Sequence, residues 1–220
     1  FGTRMSQRGA RHSEALELMQ RLWTEDEVTH HGRFYHVTGA RPTARPYQKP
    51  YPKLWLAAMS DPAIRRVGRE GHPLFIGPVQ PYDTIRRQVE LYHQTLQEYG
   101  HPIPEDMVIV REFFCADNRE DALDKARRGF ERKYAEYSAH GFQGNDEEMT
   151  SKITGDLEAL MDDTFIVGSP DECVEQIARY RDLGFSQVSI RLFYPETPQK
   201  DVLDHIDLVA KNVVPGVHKL

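Results

Sequence analysis

The sequence predicts an α/β fold in which short buried strands alternate with helices. Four short, mostly apolar runs have the pattern of strands buried on both faces: residues 53–59, 74–76, 107–114 and 188–194. A helical pattern follows each of these runs. In addition, residues 50–77 have the pattern of a strand, a tight turn, a short helix and a second strand. Such a βαβ crossover almost always joins parallel strands.

The N-terminal part of the chain leads into this pattern. It is predicted to contain a polar loop at 1–11, an amphipathic helix at 12–23, a hairpin at 25–37 and an extended connector at 39–52. The hairpin contains His30, His31 and His36, which raises the alternative of a zinc site. Neighbouring strand residues face opposite sides and no cysteine lies nearby, so solvated histidines are the favoured interpretation and no metal site is predicted.

A turn after the first buried strand begins the short helix. Asp61 is predicted to cap this helix, with Pro62 at its first position, where the missing N–H is not needed. Ile64 and Val67 give the helix an apolar side, and Gly71 fits the residue just past its end.

The same corner is the candidate binding site. A parallel strand that ends where a helix begins directs free N–H groups and the positive end of the helix dipole to one place. Ser60 adds a hydroxyl, and the small pair Ala57 and Ala58 leaves room for a flat ligand. The functional interpretation is a phosphate or flavin site. The alternative, which the corner alone favours, is that Ser60 and Asp61 merely cap a helix.

The rest of the chain continues the alternation. Helices are predicted at 81–99, 118–137, 170–182 and 200–213, the last ending before Pro215, with an extended segment at 164–167. Residues 141–163 form a long acidic connection with a helix at 149–160, and we expect it to act as a lid. Ser169 caps the helix that follows, where Asp171 and Glu172 would repel a phosphate, so that helix start is interpreted as structural.

Composition excludes several classes of protein. The 220 residues are 39% hydrophobic and 28% charged, as in a globular protein, and the net charge of −6 argues against nucleic-acid binding. No apolar run is long enough to cross a bilayer, and no nucleophile elbow or glycine-rich phosphate loop is present. Cys115 and Cys173 are predicted to be free thiols. Because the chain begins at Phe1, we expect it to be part of a longer or processed protein.

Four segments, taken in order, resemble the bacterial luciferase-like flavin monooxygenase family. Residues 46–58 resemble its "RPVQKPHPPIWVGG" segment. The other three are the helix at 11–24, the hairpin at 28–35, and the VGSPDE element at 167–172 with the Leu-Gly-Phe at 183–185. The resemblance implies that residues 1–220 are one partial domain, the C-terminal half of a (β/α)8 TIM-type barrel from which the first four strands are absent.

The family resemblance implies an enzyme. It would be a cytoplasmic flavin-dependent monooxygenase that uses reduced FMN and O₂ to oxygenate a small organic substrate, with a separate flavin reductase and as a homo-oligomer when full length. The first alternative is an F420-dependent oxidoreductase that transfers hydride on the same fold. The second is a non-catalytic flavin-binding or structural barrel fragment.

The resemblance also assigns site residues. The predicted cofactor contacts are Ala57, Ala58, Met59, Ser60, Gly77 and Arg11, the last reaching a phosphate from the N-terminal loop. Glu112, Phe193 and Tyr194 lie at the ends of predicted strands and would line the substrate pocket. No catalytic residue is assigned, because the family's best candidate for a base lies in the absent half.

Overall fold

The computed structural model describes residues 2–139, 157–195 and 197–220, and the chain divides into two units. The first unit is Phe1–Leu54 and the second is Trp55–Leu220. In the part of the chain described, no helix has both the length and the apolar character needed to cross a membrane.

The first unit consists of a helix and an antiparallel hairpin. Helix α1, Arg8–Thr24, follows a short 3₁₀ turn, and the hairpin joins β1, Val28–His31, to β2, His36–Ala40. The Glu14 carboxylate of α1 accepts hydrogen bonds from the N–H groups of Phe34 and Tyr35 at 2.9 and 2.8 Å. The hairpin prediction is confirmed, although β2 continues to Ala40, past the predicted end at 37. The predicted loop at 1–11 is wrong from Arg8 onward, where the helix has already begun.

The second unit alternates strands with helices. Its elements are β3 Leu56–Ala57, α2 Asp61–Glu70, β4 Leu74–Ile76, α3 Tyr82–Glu98, β5 Met107–Cys115, α4 Arg119–Ala139, α5 Leu157–Asp163, β6 Ile166–Gly168, α6 Pro170–Asp182, β7 Phe185–Arg191, α7 Gln199–Leu208, a π-helical turn Val209–Val213 and α8 Val214–Val217. Of the predicted lid at 141–163, residues up to 156 lie outside the described part, and the remainder forms α5.

The strands of the second unit form one parallel sheet with β5 at its centre. β3 pairs with β4, and β4 pairs with β5. Beyond them, β5 pairs with β7 through its first six residues and with β6 through its last three. The α/β prediction and the parallel βαβ crossover are confirmed, with β6 as a fifth strand that the sequence showed only as extended. The strands described do not close into a barrel.

The core lies on both sides of β5. Among the elements that precede β5 in the chain, α2 and β4 contribute four fully buried side chains: Ile64, Val67, Leu74 and Ile76. On the other side, the ring of Phe130 from α4 lies 4.8 Å from Phe165. These contacts fix the helices that flank the carboxyl ends of the strands, where the candidate site lies.

Three further predicted boundaries, all in the second unit, are wrong. The strand at 53–59 shrinks to Leu56–Ala57, because its partner β4 is only three residues long and pairs with these two. The strand at 188–194 lies three residues earlier, since β7 pairs with β5 from Met107↔Phe185 onward. The last helix continues past its predicted end, because Pro215 falls in the first turn of α8, where no N–H is required.

Candidate functional site

The corner between β3 and α2 holds four of the predicted cofactor residues. Ala58 is buried, whereas Ala57 and Ser60 are exposed and Met59 keeps 43% of its surface accessible. Ser60 is the N-cap of α2 in an extended conformation, and its carbonyl accepts the N–H groups of Ala63 and Ile64. Its side chain makes no capping hydrogen bond. The hydroxyl is therefore not used by the helix that it precedes.

Asp61 does not cap the helix, which corrects the prediction. Its carboxylate instead forms a bidentate ion pair with Arg87 of α3, with N···O distances of 2.7 and 3.0 Å. The Arg87 hydrogen bonds lower the pKa of Asp61. An acid that would have repelled an anion from the start of α2 is thus paired with a cation.

Two buried glutamines hold the backbone of this corner. Gln80 and Gln88 are 0% and 2% exposed, and the Nε2 atom of each donates to the carbonyl of Met59 at 3.1 Å. Gln80 also donates to Oε1 of Gln88 at 2.6 Å. Sequence reasoning missed both. The available signal was a polar residue, Gln88, within the apolar stripe of α3 that contains Ile85 and Tyr92.

Arg111 ties the middle of β5 to the loop after β4. It is fully buried, and its two terminal nitrogens each donate at 3.1 Å to a carbonyl, one of Gly77 and one of Gln80. Its guanidinium lies 4.8 Å from the ring centroid of Tyr180, and burial lowers its pKa. A methyl group added at Gly77 would come within 3.9 Å of the sulfur of Met59, so the structure brings Gly77 to the same corner.

A second polar cluster gathers on the neighbouring β5 residue, Glu112. This side chain is fully buried, and its Oε1 atom accepts from Lys133 at 2.5 Å, from Tyr134 at 3.1 Å and from Arg191 at 3.2 Å. Glu112 pairs with Arg191 in the sheet register. Burial is the main cause that lowers the pKa of Lys133 and raises that of Tyr134.

Tyr194 joins this cluster but Phe193 does not. The Tyr194 hydroxyl accepts from the N–H of Phe113 at 2.9 Å and donates to the carbonyl of Arg191 at 2.7 Å. Its ring is 1% exposed and lies 5.3 Å from the Lys133 ammonium. Phe193 is 66% exposed. Both residues follow β7 rather than end it, and their role as substrate-lining residues stays a prediction.

Arg11 lies on α1 in the first unit, rather than on a loop. Its guanidinium stacks over the Phe34 ring at 4.7 Å, and its Nε atom is 3.4 Å from the side-chain oxygen of Gln7. The predicted contact between Arg11 and a cofactor phosphate stays a prediction.

Ser169 caps α6, as the sequence predicted. Ser169 and Glu172 form a reciprocal capping box, in which Glu172 accepts from the Ser169 N–H at 2.8 Å and the Glu172 N–H donates to the Ser169 hydroxyl. These hydrogen bonds lower the pKa of Glu172. Across the described ranges, no three His, Cys, Asp or Glu side chains converge as a metal site requires.

Comparison with known proteins gives a consistent result. The family model described as luciferase-like monooxygenase matches residues 1–187. The F420-dependent glucose-6-phosphate dehydrogenase of Intrasporangium calvum is 28% identical over 225 residues, which cover 97% of this chain and 63% of that protein.

Two solved structures share the fold. Monooxygenase RslO1 from Streptomyces bottropensis superposes with a TM-score of 0.78 at 22% identity, covering 99% of this chain and 63% of that one. The oxygenating constituent of 3,6-diketocamphane monooxygenase from Pseudomonas putida, solved with FMN, gives a TM-score of 0.70 at 22% identity, covering 92% and 62%. The chain thus spans less than two thirds of the length of each of these relatives.

Proposed function

This chain belongs to the luciferase-like monooxygenase family, and from that membership we propose that it is the cofactor-binding part of a flavin-dependent monooxygenase. The enzyme would use reduced FMN and O₂ to oxygenate a small organic substrate. One observation carries the proposal: the Ser60 hydroxyl is unused at the start of α2, and the only acid in the first turn of that helix is neutralised by Arg87.

The residues at this corner fit a flavin phosphate. The hydroxyl of Ser60 and the positive end of the α2 dipole would hold the phosphate. Ala57 is small and exposed, so its side chain leaves space for the flat ring system beside the strand. Ala58, Met59 and Gly77 would complete this wall. The flavin would supply the redox chemistry, while these residues bind it and orient it.

The Glu112 cluster is proposed to face the substrate. Arg191 is the last residue of β7, and Glu112 of β5 and Lys133 of α4 form ion pairs with one another and with Arg191 there. The carboxyl ends of the strands are the edge at which ligands bind in parallel sheets. Tyr194 packs beneath this cluster, and the exposed ring of Phe193 would contact an apolar part of the substrate.

We propose further that the parallel sheet is the C-terminal half of a (β/α)8 barrel and belongs to a single domain. The TM-score of 0.78 with a longer monooxygenase supports this arrangement. A separate flavin reductase and a homo-oligomeric state are proposed on family grounds.

The second candidate is an F420-dependent oxidoreductase that transfers hydride. It is favoured by the 28% identity with an F420-dependent dehydrogenase. Both cofactors carry a phosphate, so the same corner would serve either of them.

Binding and turnover of the intact protein distinguish these candidates. The protein is titrated separately with FMN and F420, and O₂ consumption is then measured with chemically reduced FMN. Tight FMN binding with substrate-dependent O₂ consumption supports the monooxygenase. Preferential F420 binding with hydride transfer and no O₂ consumption supports the alternative. A folded intact protein that binds neither cofactor overturns both and favours a structural role.

A further inference from the structure

We infer that Gln80 and Gln88 are positioning residues for the cofactor phosphate, acting through the peptide bond between Met59 and Ser60. This inference rests on the proposed function, since it concerns how the proposed phosphate donors are held in place.

The two glutamines form a rigid buried pair. Each donates to the Met59 carbonyl at 3.1 Å, and the hydrogen bond of 2.6 Å between them fixes their amides relative to each other. Within the described part of the chain, Oε1 of Gln80 has no hydrogen-bond partner although the residue is fully buried. An unpartnered buried oxygen costs stability.

Peptide geometry carries the effect to Ser60. A peptide group is planar and trans, so its carbonyl and its N–H point in opposite directions. Because the Met59 carbonyl points to the buried glutamines, the N–H of Ser60 points away from them. No described residue accepts a hydrogen bond from that N–H, and the Ser60 hydroxyl makes no capping bond. The pair therefore holds an unused backbone donor next to an unused hydroxyl.

Gln88 also helps to control the charge beside these donors. Its Nε2 atom lies 3.3 Å from Oδ1 of Asp61. The same carboxylate is bound by Arg87, which precedes Gln88 on α3. One amide thus contacts both the carbonyl before Ser60 and the acid after it. Loss of that amide would remove one restraint on the backbone donor and one of the contacts that hold the Asp61 carboxylate beside Arg87.

The test uses two flavins that differ only in the phosphate. Dissociation constants of FMN and riboflavin are measured by flavin fluorescence for the full-length wild type and for Gln88→Met, which keeps the size of the side chain but removes both donors. We expect the FMN constant to rise about tenfold and the riboflavin constant to change by less than about twofold. Gln94→Met, at an exposed position of the same helix, should leave both constants unchanged.

Other outcomes overturn the inference. Equal weakening of FMN and riboflavin would mean that the glutamines only support the fold, and no change in either constant would mean that they do not position the donors. A wild type that binds FMN no more tightly than riboflavin would remove the phosphate site itself, and hence the proposed function as well. If Gln88→Met does not fold, Gln80→Met provides the test, because it removes the other amide that donates to the Met59 carbonyl, adds no charge and should produce the same FMN-selective loss.

Discussion

Two serines directly precede helices in the described part of the chain, and of these two Ser169 caps its helix whereas Ser60 does not. Ser169 is followed three residues later by Glu172, whose carboxylate accepts a hydrogen bond from the Ser169 N–H. Ser60 is followed at the same spacing by Ala63, which has no side chain that could do so. The sequence therefore contains the capping-box pattern at Ser169 and lacks it at Ser60. The Ser60 hydroxyl makes no capping bond and is available to a ligand.

Replacement of Ser60 tests the phosphate site. In the intact protein, Ser60→Ala would remove a hydrogen bond to a charged group, worth about 1.5–3 kcal/mol. Flavin affinity should then fall roughly 10- to 150-fold. The apo melting temperature should change little, since the side chain makes no capping bond. Flavin titrations and melting curves measure both quantities. Unchanged affinity together with a clearly lowered melting temperature would support the capping-only interpretation instead.

His205 provides a pH-dependent contribution to stability. The residue is 7% exposed, and its Nε2 atom accepts the N–H of Cys115 at 2.9 Å. Burial disfavours the charged ring and lowers the pKa of His205 from 6.5 to about 4. Between these values the unfolded chain binds a proton that the folded chain does not. The contribution is therefore complete above pH 6.5 and is lost as the pH falls toward 4.

We expect the His205 contribution to decrease by about 2 kcal/mol between pH 7 and pH 5. Urea unfolding of the intact protein at several pH values measures the free energy of unfolding. His205→Gln keeps an acceptor for the Cys115 N–H but does not titrate, so its stability should depend less steeply on pH. Identical slopes for the variant and the wild type would show that His205 is not the titrating group.

For helices and strands, the sequence predicted which elements are present better than it predicted the residues at which they begin and end. The pattern of α3 located the helix to within a residue, since its apolar stripe continues over four turns. By contrast, β7 begins at Phe185 because Met107 pairs with it. The polar residues Ser186 and Gln187 that follow do not fit the pattern of a buried strand, so the predicted strand began only at residue 188. The first and last residues of a strand depend on the strand with which it pairs. The residues of the strand itself do not reveal that partner.

The capping box at α6 gives a prediction for an element. Ser169→Ala removes the acceptor for the Glu172 N–H, so the free energy of unfolding should decrease by about 1 kcal/mol. Flavin affinity should not change, because this helix start is not part of the proposed phosphate site. Ser60→Ala serves as the opposite control, with affinity reduced and stability retained. A loss of affinity in Ser169→Ala at full folding would indicate that the α6 terminus also contacts the cofactor.

For the whole molecule, the sequence identified the corner but not what holds it. Ala57 lies within an apolar run, and Ser60 and Gly77 each follow one, so that all three could be recognised locally. The supports could not, because their partners are distant in sequence: Arg111 binds a carbonyl 34 residues away, and Arg191 is 79 residues from Glu112. Buried polar residues within apolar patterns were the one available signal, and only the fold reveals which backbone groups they satisfy.

The open sheet leads to a prediction about residues 1–220 by themselves. Among the described strands, β3 pairs only with β4 and β7 only with β5, which leaves unpaired backbone at both sides of the sheet. Such edges associate readily. Expressed alone, this segment should be poorly soluble or form oligomers in size-exclusion chromatography with light scattering. A monodisperse monomer that unfolds cooperatively would contradict this expectation.

Met59 combines a fixed backbone with a side chain that the corner does not require. Its carbonyl is held by two buried amides, while 43% of the residue stays accessible beside Gly77. The hydrogen bonds at position 59 therefore depend on its main chain and place no requirement on the identity of its side chain. A mutant library at this one position would vary the wall of the proposed cofactor site without altering those hydrogen bonds, which makes it the place to begin if the proposed activity is to be directed to another substrate.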